Sequence, residues 1–263
     1  IIHFCFLFRS NYQEEIQKLL ITLSNRMKVD IFYQRIESNN DENQLNSEKS
    51  LSESEEKLIL NEIDFIKAVT AFSEYFNDDK KEEWEKIALS WFVSCGDLHI
   101  AMKSGEIFCL LPLHSEETIV SICTSICSVM SFPSLKKHSI IIKYANRGFE
   151  MIRSVLEKRK VSTKMMEKLF RFLCAFIGTP DTKIICGFFT LISFFVKNPE
   201  MVEIMNLPSL YSRVVKYLNP SNDAVLHSAS LFLANTIVHV SDSKIRALSF
   251  CLLCLLVIYL VKP

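Results

Sequence analysis

Glycine and proline are scarce in this sequence. Its 263 residues contain five glycines and seven prolines, too few for the turns of a many-stranded sheet or of a nucleotide-binding α/β fold. Apolar residues make up 49% of the chain, which is enough for a continuous hydrophobic core. The composition therefore predicts an all-α fold.

Motifs of catalysis are also missing. The sequence has no phosphate-binding loop, dinucleotide fingerprint, H-E-x-x-H or G-x-S-x-G. Its six histidines are scattered, and we interpret them as capping or surface residues. Glu116 and Glu117 follow Ser115 at a predicted helix start, where acids complement the helix dipole, so we interpret them as capping residues. The sequence predicts no enzyme, no catalytic residue, no cofactor and no small-molecule substrate.

The nine cysteines do not suggest a disulfide framework. Their number is odd and most lie within apolar helical patterns, which is typical of buried thiols in a reducing compartment. Cys123 and Cys127 form one close pair, and Cys251 and Cys254 form another. Neither pair has a histidine or a second cysteine pair at zinc spacing, so we expect core packing and no metal site.

The two ends of the sequence are apolar. The segment "IIHFCFLF" has no basic leader and no cleavage site, so it is a poor signal peptide, and its initial Ile suggests a fragment or a partial gene model. We therefore expect an intracellular protein, cytoplasmic or nuclear. The segment "ALSFCLLCLLVIYLV", residues 247–261, is shorter than the roughly 20 residues that span a bilayer. We expect a buried or partner-covered helix or a gene-model extension, with a membrane tail anchor as the alternative.

One pattern recurs along the chain. "KSGEIFCLLPLHSEETIVSICTSICSVM" (103–130) and "YANRGFEMIRSVLEKRKVSTKMMEKLFRFLCAFIG" (144–178) each place a glycine before a short apolar helix, a polar turn and a second apolar helix. A third copy, "IMNLPSLYSRVVKYLNPSNDAVLHSASLFLANTIVHV" (204–240), carries Asn-Leu-Pro in place of the glycine. Such recurrence predicts units that bury their apolar faces against one another.

The second helix of the pattern recurs at an offset of 42 residues. "CGFFTLISFFV" (186–196) aligns with "SASLFLANTIV" (228–238). In both segments a small residue, Gly187 or Ala229, begins an apolar stripe at i, i+4 spacing. This spacing predicts that one helix face is buried and that the helices cross at the small residue.

These stretches resemble armadillo repeats over roughly residues 97–248, and periods of 40 to 47 residues are typical of armadillo and HEAT arrays. The resemblance implies an α-solenoid, a right-handed superhelix of helical repeats that binds a partner on its concave surface. The alternative is an irregular all-helical domain. The predicted divisions are an N-terminal helical segment or partial repeat, an acidic flexible linker, the armadillo-like array, and an apolar C-terminal helix or gene-model tail: 1–36, 37–57, 58–248 and 249–263.

Charge is distributed unevenly. Residues 37–86 contain fifteen acids and six bases, whereas residues 136–171 contain eleven bases and three acids. An excess of positive charge can steer an acidic peptide, a nucleic acid or the acidic part of the same chain. The alternative is an ordinary solvated face. The predicted partner-binding residues of the basic region are Arg153, Lys158, Arg159, Lys160 and Lys164.

Asn235 is a weaker candidate that rests on the resemblance. Armadillo proteins often place an asparagine late in each long helix, where its amide pairs with the backbone of a bound peptide, and Asn235 in "LFLANTI" matches that position. Ser193 and Ser128 stand at the aligned positions, and Leu231 stands where importin-like members carry tryptophan. A groove for nuclear localisation signals is therefore disfavoured.

The sequence as a whole predicts a non-catalytic scaffold or adaptor. We expect its partner to be a protein or an extended peptide that is acidic in part, because the basic region would steer it. The alternatives are a nucleic-acid-associated scaffold and, less favoured, a membrane-tethered one.

Overall fold

The computed structural model describes residues 3, 13–27, 65–112, 115–131, 138–176, 181–214 and 223–261. These residues form twelve α-helices and no β-strand, which confirms the predicted all-α class. The predicted linker 37–57 and the lysines at 136 and 137 lie outside the described residues. In chain order the helices are α1 Gln13–Met27, α2 Phe65–Tyr75, α3 Asp78–Ser94, α4 Leu98–Leu110, α5 Thr118–Met130, α6 His138–Lys158, α7 Thr163–Cys174, α8 Thr182–Phe195, α9 Pro199–Met205, α10 Leu207–Val214, α11 Asp223–His239 and α12 Ser243–Val261.

The chain divides into two compact units. The first comprises Ile1–Ala88 and Leu110–Leu113, and the second comprises Leu89–Cys109 and His114–Pro263. The array predicted over 58–248 thus contributes residues to both units. The boundary predicted between residues 248 and 249 falls inside α12, which is one continuous helix.

The first unit has an aromatic core. Phe72 of α2 and Trp84 of α3 are buried, and the Trp84 ring lies edge-on to Phe76 with 5.7 Å between ring centroids. The Trp84 indole N–H donates a hydrogen bond to Nδ1 of His3 over 3.2 Å. Burial lowers the pKa of His3 to about 4. The interpretation of the histidines as capping or surface residues is therefore wrong for His3, because it accepts a hydrogen bond from a core tryptophan.

The second unit is a succession of packed helices. α6 packs against α5 and α8, α8 packs against α11, and α11 packs against α12. α7 packs against α5 and α9. Phe189 of α8 and Phe232 of α11 are buried with ring centroids 6.0 Å apart. The predicted stripes are Leu191 with Phe195 and Leu233 with Ile237. Leu191, Phe195 and Leu233 are buried and Ile237 is half-buried, so the i, i+4 spacing located the packed faces.

Gly105, Gly148 and Gly187 lie inside helices, whereas Gly96 lies between α3 and α4. Gly148 lies in the middle of the 21-residue helix α6, which is longer than the 12-residue helix α7 that follows it. The prediction of a short helix that follows Gly148 is therefore wrong, because Gly148 lies inside a long helix. A Cβ on Gly148 would lie 2.5 Å from Cδ1 of Ile126 in α5, and a Cβ on Gly187 would overlap the Phe149 ring. The cost of a glycine inside a helix, about 1 kcal/mol, is offset by close helix packing.

Candidate partner-binding groove

Two turns of the second unit border a cavity of about 550 Å³. One turn connects α6 to α7 and the other connects α8 to α9. Its rim carries three bases, and Glu200 is the one acid among its lining residues. We call this cavity the basic groove. Its lining residues are Leu156, Arg159, Lys160, Val161, Thr163, Met166, Phe194, Lys197, Asn198, Pro199 and Glu200.

Each of the two turns ends at a residue that caps the N-terminus of the next helix. Ser162 is extended at φ −65° and ψ 146°, and its side chain accepts a hydrogen bond from the Met165 N–H. The Asn198 side chain accepts a hydrogen bond from the Glu200 N–H over 3.0 Å, and Pro199 occupies the first helical position. Serine, asparagine and proline are the residues that favour helix starts at these positions. Local sequence therefore sets both turns.

Glu116 holds the start of α7 from a distance. Its Oε2 accepts a hydrogen bond from the Ser162 N–H over 2.8 Å, and its Oε1 accepts one from the Ser162 hydroxyl over 3.2 Å. The N-cap of α5 is Glu117, which makes no side-chain cap bond. The interpretation as a capping residue of its own helix is therefore wrong for Glu116, whereas Glu117 occupies the N-cap position of α5. The Ser162 N–H needs an acceptor, and Glu116 supplies it across 46 residues of sequence.

A second carboxylate binds the same helix start. The Thr163 hydroxyl donates a hydrogen bond to Oε2 of Glu200 over 2.6 Å. Glu200 lies in the first turn of α9, where its charge also complements the helix dipole. The first residues of α7 are thus tied to the segment before α5 and to the start of α9, so the position of the basic groove depends on all three segments.

Arg159 and Lys160 are the predicted site residues that the structure places in the basic groove. Both are exposed, so their charged groups face solvent at the rim. They follow the last residue of α6 directly. Their consecutive positions put them in the turn between α6 and α7.

Lys158, Arg153 and Lys164 do not line this cavity. The Lys158 ammonium donates a hydrogen bond to the Cys109 carbonyl over 2.8 Å, which satisfies an acceptor in the last turn of α4. Arg153 pairs with Glu157 one helical turn away at 3.3 Å. Lys164 is exposed on α7. The structure thus separates three of the five predicted bases from the groove.

Ion pairs neutralise part of the positive charge of residues 136–171. Besides the Arg153 pair, Arg147 contacts Glu150 at 2.6 Å and Arg171 contacts Glu167 at 2.5 Å. These three pairs use all three acids of residues 136–171. Each pair spans three or four residues on one helix, a spacing at which side chains meet. Their arginines are therefore less available to a partner than the bases at the rim.

Lys197 is the groove residue that sequence reasoning missed. It lies in the α8/α9 turn, outside the basic region, and its ammonium nitrogen is 5.1 Å from the centroid of the Phe194 ring. Lys197 is exposed and lines the same basic groove as Arg159 and Lys160. No local signal marks it, because its neighbours on the other turn are almost 40 residues earlier.

Asn235 lies elsewhere, half-buried on α11. The aligned Ser193 is buried, and its hydroxyl donates a hydrogen bond to the Phe189 carbonyl of its own helix over 2.8 Å. The aligned Ser128 is exposed. The three positions differ in burial, and Asn235 is not among the residues that line the basic groove.

A second cavity of about 610 Å³ lies beside α9. It is bordered by the α9/α10 junction and by the turn between α11 and α12, and its charged residues are Glu203 and Asp242 with His239 beside them. We call this cavity the acidic groove. Pro199 lines both grooves.

The cysteines differ in environment. Burial raises the pKa of the Cys109 and Cys123 thiols to about 12, which keeps both neutral and unreactive. Cys127, Cys251 and Cys254 are exposed, so the expectation of core packing is wrong for these three. Within the part of the chain that the structure describes, no cluster of three or more histidine, cysteine, aspartate or glutamate side chains is arranged to hold a metal ion.

The C-terminal helix is only partly covered. Leu256 and Ser249 of α12 are buried, whereas Leu248, Phe250 and Leu255 are exposed. None of the helices among the described residues combines the length and the apolar character that crossing a membrane requires.

Comparisons of the chain with protein-family models, with curated proteins and with solved structures find no match.

Proposed function

We propose that the protein is a non-catalytic scaffold that binds an acidic, extended segment of a partner protein in the basic groove. One observation carries the proposal. Arg159 and Lys160 from one turn and Lys197 from another line the same concave cavity, which contains one carboxylate, that of Glu200.

The groove chemistry suits carboxylates. A guanidinium offers a planar pair of donors that matches a carboxylate, and the two ammonium groups act as mobile point charges. Exposed charges at a rim increase the association rate and select the sign of the partner more than they add affinity. The three bases therefore favour a partner segment with several glutamate or aspartate residues.

Apolar contacts supply the remaining affinity. Val161 and Met166 are buried at the floor, and Leu156 and Phe194 line the cavity beside them. A cavity of about 550 Å³ has the size of sites that enclose a small ligand or a few side chains. We expect the bound segment to insert apolar side chains between its acids, in the manner of an extended peptide on a helical scaffold.

The architecture that we propose for the array is an α-solenoid of armadillo-like repeats in an intracellular protein. The consecutive packing of α6, α8, α11 and α12 supports it, since each repeat of such an array contacts its neighbours. The recurrence of two similar grooves beside α9 supports it as well.

Fluorescence anisotropy with a labelled glutamate- and leucine-containing peptide tests the proposal directly. The full chain is compared with Arg159→Glu/Lys160→Glu, which reverses the rim, and with Lys164→Glu/Lys168→Glu, a matched control that makes the same charge change on exposed positions of α7 outside the groove. We expect the rim variant to weaken binding by about 100-fold and the control by less than about threefold. Equal losses in the two variants would assign binding to diffuse charge and contradict the groove.

The natural partner can then be sought with the same variants. Affinity capture from nuclease-treated lysate should retain a discrete polypeptide on the native chain and on the control, and lose it on the rim variant. A nucleic-acid scaffold would behave differently. It would bind a single-stranded oligonucleotide, with affinity that falls steeply as salt rises, and would not bind the acidic peptide.

A further inference from the structure

The basic turn ends in an exposed hydroxyl. Ser162 follows Arg159, Lys160 and Val161, it is exposed, and its backbone is extended. Arginine and lysine at the third and second positions before a serine form the charge pattern that basic-residue-directed protein kinases select. We propose that Ser162 is a phosphorylation site and that its phosphate breaks the Glu116 contact and weakens the basic groove.

The chemical step needs ATP and such a kinase. The Ser162 hydroxyl oxygen forms a bond to the γ-phosphorus of ATP, and the bond from that phosphorus to the β,γ-bridging oxygen breaks. ADP leaves, and the hydroxyl proton passes to the catalytic aspartate of the kinase. The product is a phosphoserine at the N-cap of α7.

Ser162 is exposed to a kinase, but the residue before it is anchored in the core. The hydroxyl contacts Glu116 on the protein surface, whereas the Val161 side chain beside it is buried. A kinase that binds the turn in extended form must therefore open residues 159–162 locally. This opening breaks the hydrogen bonds of Ser162 to Glu116 and to the Met165 N–H, and it need not unwind α7 because Ser162 precedes the first helical residue.

The phosphate changes the local charge. It carries about −1.5 to −2 charges at pH 7 at an oxygen that lies 3.2 Å from Oε1 of Glu116. Two like charges at this distance repel, so the carboxylate must leave and the Ser162 N–H loses its acceptor. The phosphate instead favours pairing with Arg159 and Lys160, the bases that the proposed partner needs. The effect on partner binding rests on the proposed function, whereas the modification and the release of Glu116 do not.

Labelling of the folded full chain tests the modification. The chain is incubated with ATP and the catalytic subunit of cyclic-AMP-dependent protein kinase, and the product is mapped by fragmentation mass spectrometry. We expect stoichiometric phosphate on Ser162, no label there in Ser162→Ala, and label still on Ser162 in Thr163→Val, which removes the adjacent hydroxyl. Arg159→Gln keeps the serine and should slow labelling by about tenfold or more. Label on other residues with none on Ser162, or label on Ser162 only after heat unfolding, would overturn the proposal.

Hydrogen exchange tests the release of Glu116. Phosphorylation should speed exchange of the Ser162 amide, and Glu116→Gln should reduce this change because the neutral amide keeps an acceptor oxygen without the charge. Identical exchange of the Ser162 amide with and without phosphate would show that its hydrogen bond to Glu116 survives. That result would overturn the proposed release of Glu116.

Peptide affinity completes the test. Phosphorylation should weaken binding of the acidic peptide by about tenfold or more. If the unmodified chain binds no acidic peptide, the proposed function fails, and the labelling and exchange experiments still judge the modification. Unchanged affinity in a chain that binds the peptide would overturn the regulatory effect alone.

Discussion

The basic and acidic grooves are built alike and differ in charge. Each is bordered by a helix end, a turn and an N-capped helix start, both border α9, and their volumes are about 550 and 610 Å³. The basic groove has bases at its rim, whereas the acidic groove has Glu203 and Asp242 among its lining residues. Helix packing therefore creates the cavities, whereas a few turn residues decide which partner chemistry each cavity suits.

The acidic groove has less free charge than its residues suggest. Oδ1 of Asp242 accepts hydrogen bonds from the Lys244 and Ile245 N–H groups over 2.8 and 3.1 Å, so this carboxylate caps α12. The corresponding cap in the basic groove is the neutral Asn198. The start of α9 is thus capped by a neutral side chain, and the basic groove keeps three bases against the one carboxylate of Glu200.

The largest expected effect concerns the groove floors. Leu207 of the acidic groove is 1% exposed and Met166 of the basic groove is 8% exposed. We expect Leu207→Ala to lower the free energy of unfolding by about 3 kcal/mol and Met166→Ala by about 2 kcal/mol, because both remove buried apolar volume. Urea unfolding measures both. A negligible loss in either variant would mean that the floor concerned is not part of the core.

The next effect concerns the backbone beside the acidic groove. Asn206 connects α9 to α10 with a positive φ of 44°, a conformation that asparagine and glycine tolerate and β-branched residues do not. Asn206→Val should cost about 2 kcal/mol of unfolding free energy, whereas Asn206→Gly should cost less than about 0.5 kcal/mol. Thermal unfolding of the two variants provides the comparison, and equal melting temperatures would contradict the strain argument.

A smaller effect is expected on the affinity for the acidic peptide when one charge is reversed in each groove. Lys197→Glu should weaken binding of the acidic peptide by about tenfold, because it places a carboxylate on the basic rim. Glu203→Lys alters an exposed residue of the acidic groove and should change the affinity by less than about twofold. Anisotropy titrations at two salt concentrations measure both. A gain in Glu203→Lys as large as the loss in Lys197→Glu would show that overall charge, and not groove position, controls binding.

The smallest effect compares the two caps. Asn198→Ala and Asp242→Ala should each lower the unfolding free energy by about 1 kcal/mol. The loss in Asp242→Ala should shrink in high salt because part of it is a charge–dipole interaction, whereas the loss in Asn198→Ala should not. Urea unfolding at low and high salt distinguishes the two. The same salt response in both variants would contradict the difference between a charged and a neutral cap.

Features that depend on neighbours along the chain were predictable. The scarcity of glycine and proline predicted the helical class, and the i, i+4 stripes predicted the buried faces at Leu191, Phe195 and Leu233. Arg159 and Lys160 were predicted as site residues from the excess of positive charge in residues 136–171, and as adjacent residues they share one turn. The Arg153–Glu157 pair follows from the same helical spacing.

What the sequence by itself determined are the helices, their apolar faces and the N-caps, because these depend on interactions within about one helical turn. Only the tertiary structure decided the partners of Glu116 and Lys158, which lie 46 and 49 residues away, and the presence of Lys197 at the basic rim. Such contacts depend on how helices cross, and crossing is set by packed volume at positions such as Gly148 and not by a periodic signal.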